Sequence, residues 1–268
     1  MPDDAATFRA PADAYDAHVG RYGAALGDAL VEAAGLPATG RALDVGCGPG
    51  ALTAVLAERL GAENVAAVEP SEPFAAACRA RVPGADVQVG AAEALPFADA
   101  AFDAVFSQLV VNFLSDAPRG VAEMARVARP GTTVAACVWD YAGEMTLLRT
   151  FWDAAIALDP ERARPLDEGS RMPHCSEAGL RELWEGAGLA AVRTGALVVH
   201  AAYESLDDLW RPFALGVAPS GAYAASLPED ARAALRDELG RRLGVGAAPF
   251  ELPARAWWVA GRAALSPR

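Results

Sequence analysis

Leu43-Asp44-Val45-Gly46-Cys47-Gly48-Pro49-Gly50 is the stretch on which the reading of this chain turns. Ala42 to Val45 has the short apolar run of a buried strand, and it breaks at once into glycines at alternate positions, 46, 48 and 50. Glycine lets the backbone turn sharply and approach a ligand with no Cβ in the way. From about Ala51 to Leu60 the sequence reads as a helix closed by Gly61. A helix that starts behind such a loop presents unpaired N–H groups and the positive end of its dipole. The loop alone is also compatible with a tight strand-to-helix connection that binds nothing.

Working outward, the same rhythm repeats. Val65 to Val68 reads as a second strand ended by Glu69-Pro70-Ser71, and Pro73 starts a helix that runs to about Val82. Asp86 to Val89 is a third strand and Ala104 to Leu109 a fourth. Asp116 caps a helix with Pro118 in its first turn, Pro130-Gly131 stops it, and Thr133 to Trp139 is a fifth strand. Strand, helix, strand in short units implies right-handed crossovers and a parallel sheet with helices on both faces. Farther on, Ser176 caps a helix to about Ala187, Val192 to Ala201 is a sixth strand, and Ala256 to Ala260 is the last. The expectation is an α/β, Rossmann-like, mainly parallel seven-stranded sheet with helices on both faces. Residues 1–35, 141–172 and 203–247 are predicted helical and stand outside the βα rhythm. No linker or repeat divides the chain, so a single domain over 1–268 is expected, with 36–140 as its ligand-binding core.

Composition narrows the functional classes. Apolar residues make up 53% of the 268, which rules out a disordered chain. Net charge is −12, so the chain repels phosphate backbones and anionic bilayers, and neither nucleic acid nor a membrane is expected as a partner. All of its basic residues are Arg, which reads as the codon bias of a GC-rich bacterium. The opening MPDDAATFRAPADAYD has neither a basic n-region nor an apolar h-region, and no apolar run is long enough for a bilayer. Cys47, Cys78, Cys137 and Cys175 are far apart, and there are three His. That pattern supports neither a disulfide frame nor a metal site, and it points to a cytoplasmic protein.

Glu69 lies nineteen residues after Gly50, at the strand end where an acid reaches ribose hydroxyls. Gly90-Ala91-Ala92-Glu93-Ala94-Leu95-Pro96-Phe97 then follows the third strand. The runs LDVGCGPG, VAAVEPS, GAAEALPF and FDAVFSQLVVNF, followed by EMARVARPG, together resemble the class I S-adenosylmethionine-dependent methyltransferases, in particular the branch of the ubiquinone/menaquinone C-methyltransferases. The resemblance is good over about 40–140 and holds elsewhere in outline.

What the resemblance implies is S-adenosylmethionine as cofactor and a role for each matching position. Asp44 orients the loop and meets the cofactor ammonium through water, while Gly46, Cys47 and Gly48 pass close to the methionyl part. Thr53 helps at the helix start. Glu69 accepts from the ribose hydroxyls, with Pro70 and Ser71 beside the adenine. Ala92 and Glu93 flank the adenine edge, and Gln108 lies near the sulfonium and amino group. Tyr15, Arg21 and Tyr22 close over the cofactor, with Arg21 near its carboxylate. One position departs from the pattern: Ala91 stands where the family often has Asp or Asn for the exocyclic amine. Glu93, or backbone atoms, must then serve, or adenine selectivity is weaker.

Two readings stay open beside a methyltransferase. A nicotinamide dehydrogenase spaces its glycines G-x-G-x-x-G, whereas this loop is G-x-G-x-G, and no Lys exists to serve a Lys/Tyr pair. A chain that binds the cofactor without transferring methyl groups fits the same motifs. Methyl transfer itself relies on alignment and shielding from water, so no loud catalytic motif is required. His174, Asp140, Tyr141 and Asn112 are the candidates for a base or an acceptor-binding group, while His18 and His200 are read as packing or surface residues. The helical additions at 1–35, 141–172 and 203–247 form the expected substrate cover. Their surplus of Tyr, Trp and Phe suits an apolar or aromatic small-molecule acceptor. A homodimer is compatible with this reading.

Overall fold

The computed structural model describes residues 16–264, and Tyr15 lies outside them. The described residues form two compact units, each assembled from separated stretches of chain. One, the sheet unit, comprises Gly23–Trp139, Pro173–Leu197 and 256–264; the other, the helical unit, comprises 16–22, Asp140–Met172 and Val198–Arg255. Because each unit is discontinuous in sequence, no linker marks its borders.

In the sheet unit, helix α1 (Gly23–Ala34) precedes strand β1 (Ala42–Val45). Then α2 (Ala51–Leu60), β2 (Val65–Glu69), α3 (Glu72–Arg81), β3 (Asp86–Val89), β4 (Phe102–Gln108), α4 (Ala117–Val127) and β5 (Ala128–Trp139) follow in order. Helix α6 (Glu177–Gly186) and strand β6 (Ala190–Tyr203) come later, and β7 (Phe250–Arg262) completes the seven-stranded sheet, ordered β3-β2-β1-β4-β5-β7-β6; residues 198–203 of β6 and 250–255 of β7 are counted with the helical unit. The first five strands are parallel, and β7 pairs antiparallel with β5. Every residue of β1 and β2 is buried, as strands covered on both faces must be. Leu43, Val45, Val68, Phe102, Val105, Met124 and Val134 belong to one core cluster with Trp184 of α6, whose Nε1 donates to the Val134 carbonyl at 2.9 Å. Burying a side chain of this size contributes about 1.5–3 kcal/mol each.

Several boundaries differ from the sequence reading. Helix α4 ends at Val127, and β5 begins at Ala128 instead of Thr133. Pro130-Gly131 therefore sits inside the strand, at an irregularity where pairing passes from Phe102↔Ala128 to Ala104↔Thr133, and Gly131 takes φ +81. A bulge accommodates proline, which lacks the N–H a regular ladder requires. Strand β6 starts before Val192 and ends beyond Ala201, and β7 extends on both sides of 256–260. In β7 it is the register opposite Thr133–Trp139 that defines the strand over 256–262, a non-local partner that no local pattern announces.

The helical unit contains α5 (Thr146–Leu158), two single-turn helices (Pro160–Ala163 and Glu168–Arg171), α7 (Leu206–Ala214), α8 (Ala218–Ala225) and α9 (Glu229–Leu243). Ser205 caps α7 by accepting from Asp208 N. The unit has its own aromatic core. Phe151 stacks on Phe213 at 4.6 Å, Trp152 tilts against Tyr223 at 5.4 Å, and Trp152 Nε1 donates to Glu168 Oε2 at 2.9 Å. Among the described residues no helix is long and apolar enough to cross a membrane.

Candidate functional site

The strand order reverses at β1, which pairs with β2 on one side and β4 on the other. In an open α/β sheet the crevice at this point, outside the carboxyl ends of the strands, is where ligands bind. The glycine-rich loop leaves β1 there. It is held to β2 by Gly46 N and Cys47 N, which donate to the Val68 carbonyl at 2.7 and 3.1 Å. Gly46, Gly48 and Gly50 take φ of +75, +52 and +95. Their surroundings differ. A Cβ on Gly46 would lie 2.5 Å from Val110 Cγ2, and one on Gly50 would lie 2.8 Å from Cys78 Sγ, but one on Gly48 would meet nothing within 4 Å. Two of these glycines are required by packing, and the third borders open space.

Acidic groups frame that space. Glu69 is 7% exposed, and its Oε2 and Oε1 accept from Gly48 N at 3.0 Å and Ser71 N at 2.9 Å. Burial pushes its pKa up against the pull of those two N–H groups. Asp44 is buried, and its Oδ2 accepts from Thr53 Oγ1 at 2.7 Å while Oδ1 has no hydrogen-bond partner. Burial, with Cys78 and Glu69 adding to it and the Thr53 hydroxyl opposing it, pushes the Asp44 carboxyl up to about 8. On β4, Ser107 Oγ donates to the Val45 carbonyl at 2.9 Å. The Gln108 Nε2 donates to the Gly23 carbonyl at 3.0 Å, which leaves its Oε1 buried and unpartnered. Hydrogen bonding to Cys78 and burial hold the Cys47 thiol protonated. Cys47, Cys78 and Cys137 form no disulfide.

Buried polar atoms are nearly always satisfied, so the orphaned Asp44 oxygen calls for a partner, whereas Gln108 Oε1 lies against Gly27 of α1, beside Leu52 and Val55. A ligand with an ammonium group supplies one. Each Glu69 oxygen accepts a single N–H and keeps a lone pair for a hydroxyl. The residues present therefore suit a molecule that carries both an amino group and vicinal hydroxyls.

Sequence reasoning brought Asp44, Gly46, Cys47, Gly48, Thr53, Glu69, Ser71 and Gln108 into the sheet unit, and its motifs also put Pro70, Ala91, Ala92 and Glu93 there. One carboxylate oxygen of Glu93, Oε1, accepts from Ser115 Oγ at 2.9 Å and Ser115 N at 3.1 Å, ahead of α4. Asn112 is buried in a turn at Val111–Phe113. His174 takes φ +62 in the turn before α6. Sequence reading missed Leu109, which follows β4 with φ +63, a strained value for a residue with a Cβ and one that no residue type announces. It also missed Val110, which dictates the glycine at 46.

In the helical unit, Asp140 Oδ2 accepts from Arg255 Nη2 at 2.6 Å, Arg255 Nε at 2.9 Å and Glu144 N at 2.7 Å. With three donors on Oδ2, Asp140 serves as a turn and ion-pair anchor. Tyr141 beside it is buried. Arg21 donates to Asp208 Oδ1 at 2.6 Å, Ala17 O at 2.7 Å and Ala202 O at 3.1 Å, and its guanidinium lies 4.8 Å from the Tyr203 ring centre. Tyr203 Oη donates to Tyr22 Oη at 3.3 Å. Among the described residues no group of three or more His, Cys, Asp or Glu could hold a metal.

Residues 43–136 match the family model described as a methyltransferase domain. The chain is 35% identical over 123 residues to a malonyl-[acyl-carrier protein] O-methyltransferase of Methylococcus capsulatus. That match covers 44% of each chain, so this chain spans under half the length of that relative. Among solved structures, the fold is similar to that in the complex of the Haloferax volcanii Trm112 methyltransferase activator with its methyltransferase, with TM-score 0.58 and 19% identity over 98% of both chains. It is also similar to Haemonchus contortus phosphoethanolamine N-methyltransferase 2 in complex with S-adenosyl-L-methionine, with TM-score 0.57 and 16% identity over 94% of this chain and 56% of that one. These matches do not single out the ubiquinone/menaquinone branch.

Proposed function

We propose that this chain, whose core is that of a class I S-adenosylmethionine-dependent methyltransferase, transfers the methyl group of that cofactor to a small-molecule acceptor. The observation that carries the reading is the set of groups at the carboxyl edge of the sheet. Asp44 Oδ1 lacks a partner, Gly48 borders open space, and Glu69 is fixed by two backbone N–H groups.

S-adenosylmethionine, when bound, supplies a methyl group on a sulfonium carbon already activated for in-line displacement. Everything else falls to the protein. Asp44 would hold the ammonium end, Glu69 the ribose hydroxyls, and Ala91 and Ala92, through their backbone, the adenine edge. Gly46, Cys47 and Gly48 would let the chain approach the methionyl portion closely, with Thr53 fixing Asp44. Pro70 and Ser71 would lie along the adenine. Positioning of this kind supplies most of what the reaction needs, because aligning two reactants can account for about 7–11 kcal/mol of a barrier.

The helical unit is the proposed source of the acceptor site, since it holds an aromatic core of its own. An acyl group borne by a carrier protein, as in the name of the Methylococcus relative, is the second acceptor class to be tested. Calorimetry with S-adenosylmethionine and with NADH tests the first half of the reading. Heat from S-adenosylmethionine alone is expected, at micromolar affinity or about −8 kcal/mol; heat from NADH alone would overturn it. Transfer of an isotope-labelled methyl group into a panel of acceptors, read by mass spectrometry, tests the second half. Binding with no transfer to any acceptor would make the chain a cofactor-binding protein instead.

A further inference from the structure

Between the end of α5 and the first half of α9, the helical unit contains a cavity of about 420 Å³, at the small end of the ~300–1,000 Å³ usual for ligand pockets. Leu158, Leu227, Pro228, Ala231 and Leu235 form its apolar walls. Leu158 is 49% exposed, and Pro228 and Ala231 are exposed in the same cavity, so apolar surface is open to water here. The rest of the lining is polar. Tyr223, on α8, is 4% exposed, with its ring tilted against Trp152, and among the described residues its hydroxyl has no hydrogen-bond partner. Arg162 is pinned by one nitrogen: Nη2 donates to the carbonyl and to the Oγ of Ser226, both at 3.0 Å, and the guanidinium carbon lies 5.9 Å from the Tyr223 ring centre. Among the described residues its Nη1 makes no hydrogen bond and the side chain makes no ion pair. Asp159 Oδ1 accepts from Arg162 N at 3.1 Å, capping the short helix Pro160–Ala163, and Oδ2 takes no donor from the described residues. One cation and one anion thus flank one phenol in an otherwise apolar cavity.

We propose that this cavity binds a small zwitterion with an apolar body, namely an α-amino acid with an aliphatic side chain. Arg162, through Nη1, pairs with the carboxylate, the spare Asp159 oxygen takes the ammonium, and the Tyr223 hydroxyl donates to the carboxylate. The aliphatic side chain covers Leu158, Leu227 and Ala231. Burial and the Asp159 carboxylate push the Tyr223 pKa above the ordinary tyrosine value, against the pull of Arg162, so the hydroxyl keeps its proton to donate. A plain carboxylic acid would set its charge against Asp159, and a plain amine would set its charge against Arg162; a molecule with both charges answers both. The inference does not rest on the methyltransferase reading, since every residue it uses belongs to the helical unit.

The test uses the full chain and calorimetry at pH 7, with L-leucine as probe. Its twins are 4-methylpentanoate, which lacks the ammonium, and 3-methylbutylamine, which lacks the carboxylate. Leucine is expected to bind about tenfold more tightly than either twin. In Arg162→Gln that advantage over the amine should vanish, and in Asp159→Asn, which still caps the short helix, the advantage over the carboxylate should vanish. Tyr223→Phe keeps the ring packing and should weaken leucine about threefold. A twin that binds the wild type as tightly as leucine, or leucine affinity unchanged in all three variants, overturns the inference, as does the absence of leucine binding. The titration is repeated with S-adenosylmethionine present, because that molecule also carries an amino-acid end. Leucine heat that survives supports the cavity, and leucine heat that is abolished moves the amino acid to the glycine-rich loop and overturns it.

Discussion

Asp44 should make the ligand-free protein less stable as pH rises. Its folded pKa is about 8 against an ordinary 3.8, because the ionised carboxylate is buried with a single donor, Thr53 Oγ1. An acid whose pKa is raised on folding holds its proton in the native state after the unfolded chain has lost it. The stability it permits is complete below the unfolded value and declines as pH climbs toward the folded one. Each pH unit inside that window is worth 1.36 kcal/mol, so from pH 5 to 8 the loss is about 3–4 kcal/mol. Asn at this position has the same shape and no charge to bury. Urea titrations at pH 5, 6, 7 and 8 should show wild-type stability falling by about that amount relative to Asp44→Asn, with titrating groups that do not interact with Asp44 cancelling in the difference. The cofactor ammonium would pair with the ionised form, so binding near pH 7 should release about one proton, read as different calorimetric heats in buffers of different ionisation enthalpy. Parallel pH profiles for the two proteins, together with no proton release in the wild type, would refute the reasoning.

The other predictions concern single side chains around the same loop and at the end of β5. Glu69→Ala should weaken S-adenosylmethionine binding by about 1.5–3 kcal/mol in calorimetry, the range for a hydrogen bond to a charged group, with little loss in Tm. Gly48→Ala should lower stability by about 1–2 kcal/mol through its left-handed backbone alone. Gly46→Ala should cost clearly more, since its new methyl would also strike Val110, and thermal melts that rank the two the other way would contradict the packing described. Arg255→Met leaves the Asp140 carboxylate with Glu144 N but no cation, and should destabilise the chain by about 3 kcal/mol. The same variant should keep cofactor affinity intact, and a dissociation constant that moved with it would return Asp140 to the candidate site.

What the sequence determined by itself is the half of the protein built from local signals. Alternating short apolar runs, glycines and caps identified β1 to β5 and the helices between them, because a strand buried on both faces and a capped helix each leave a local pattern. The loop at 43–50 and the acid at Glu69 were legible for the same reason: close backbone approach demands glycine, and a strand end demands a particular spacing. Only the tertiary structure decided which groups are satisfied. That Glu93 bonds Ser115, that Asp140 is absorbed by Arg255 across 115 residues, and that Arg21 goes to Asp208 are pairings between distant segments, and nothing in their neighbours in sequence encodes them. The extents of β6 and β7 were hidden for the same reason, as the partner strand sets the register. His18 shows the limit most plainly. In sequence it is one histidine in a lead-in segment; its edge-on packing against Phe213, with both nitrogens left without partners, exists only after folding, since an orphaned polar atom is a property of the packed state alone.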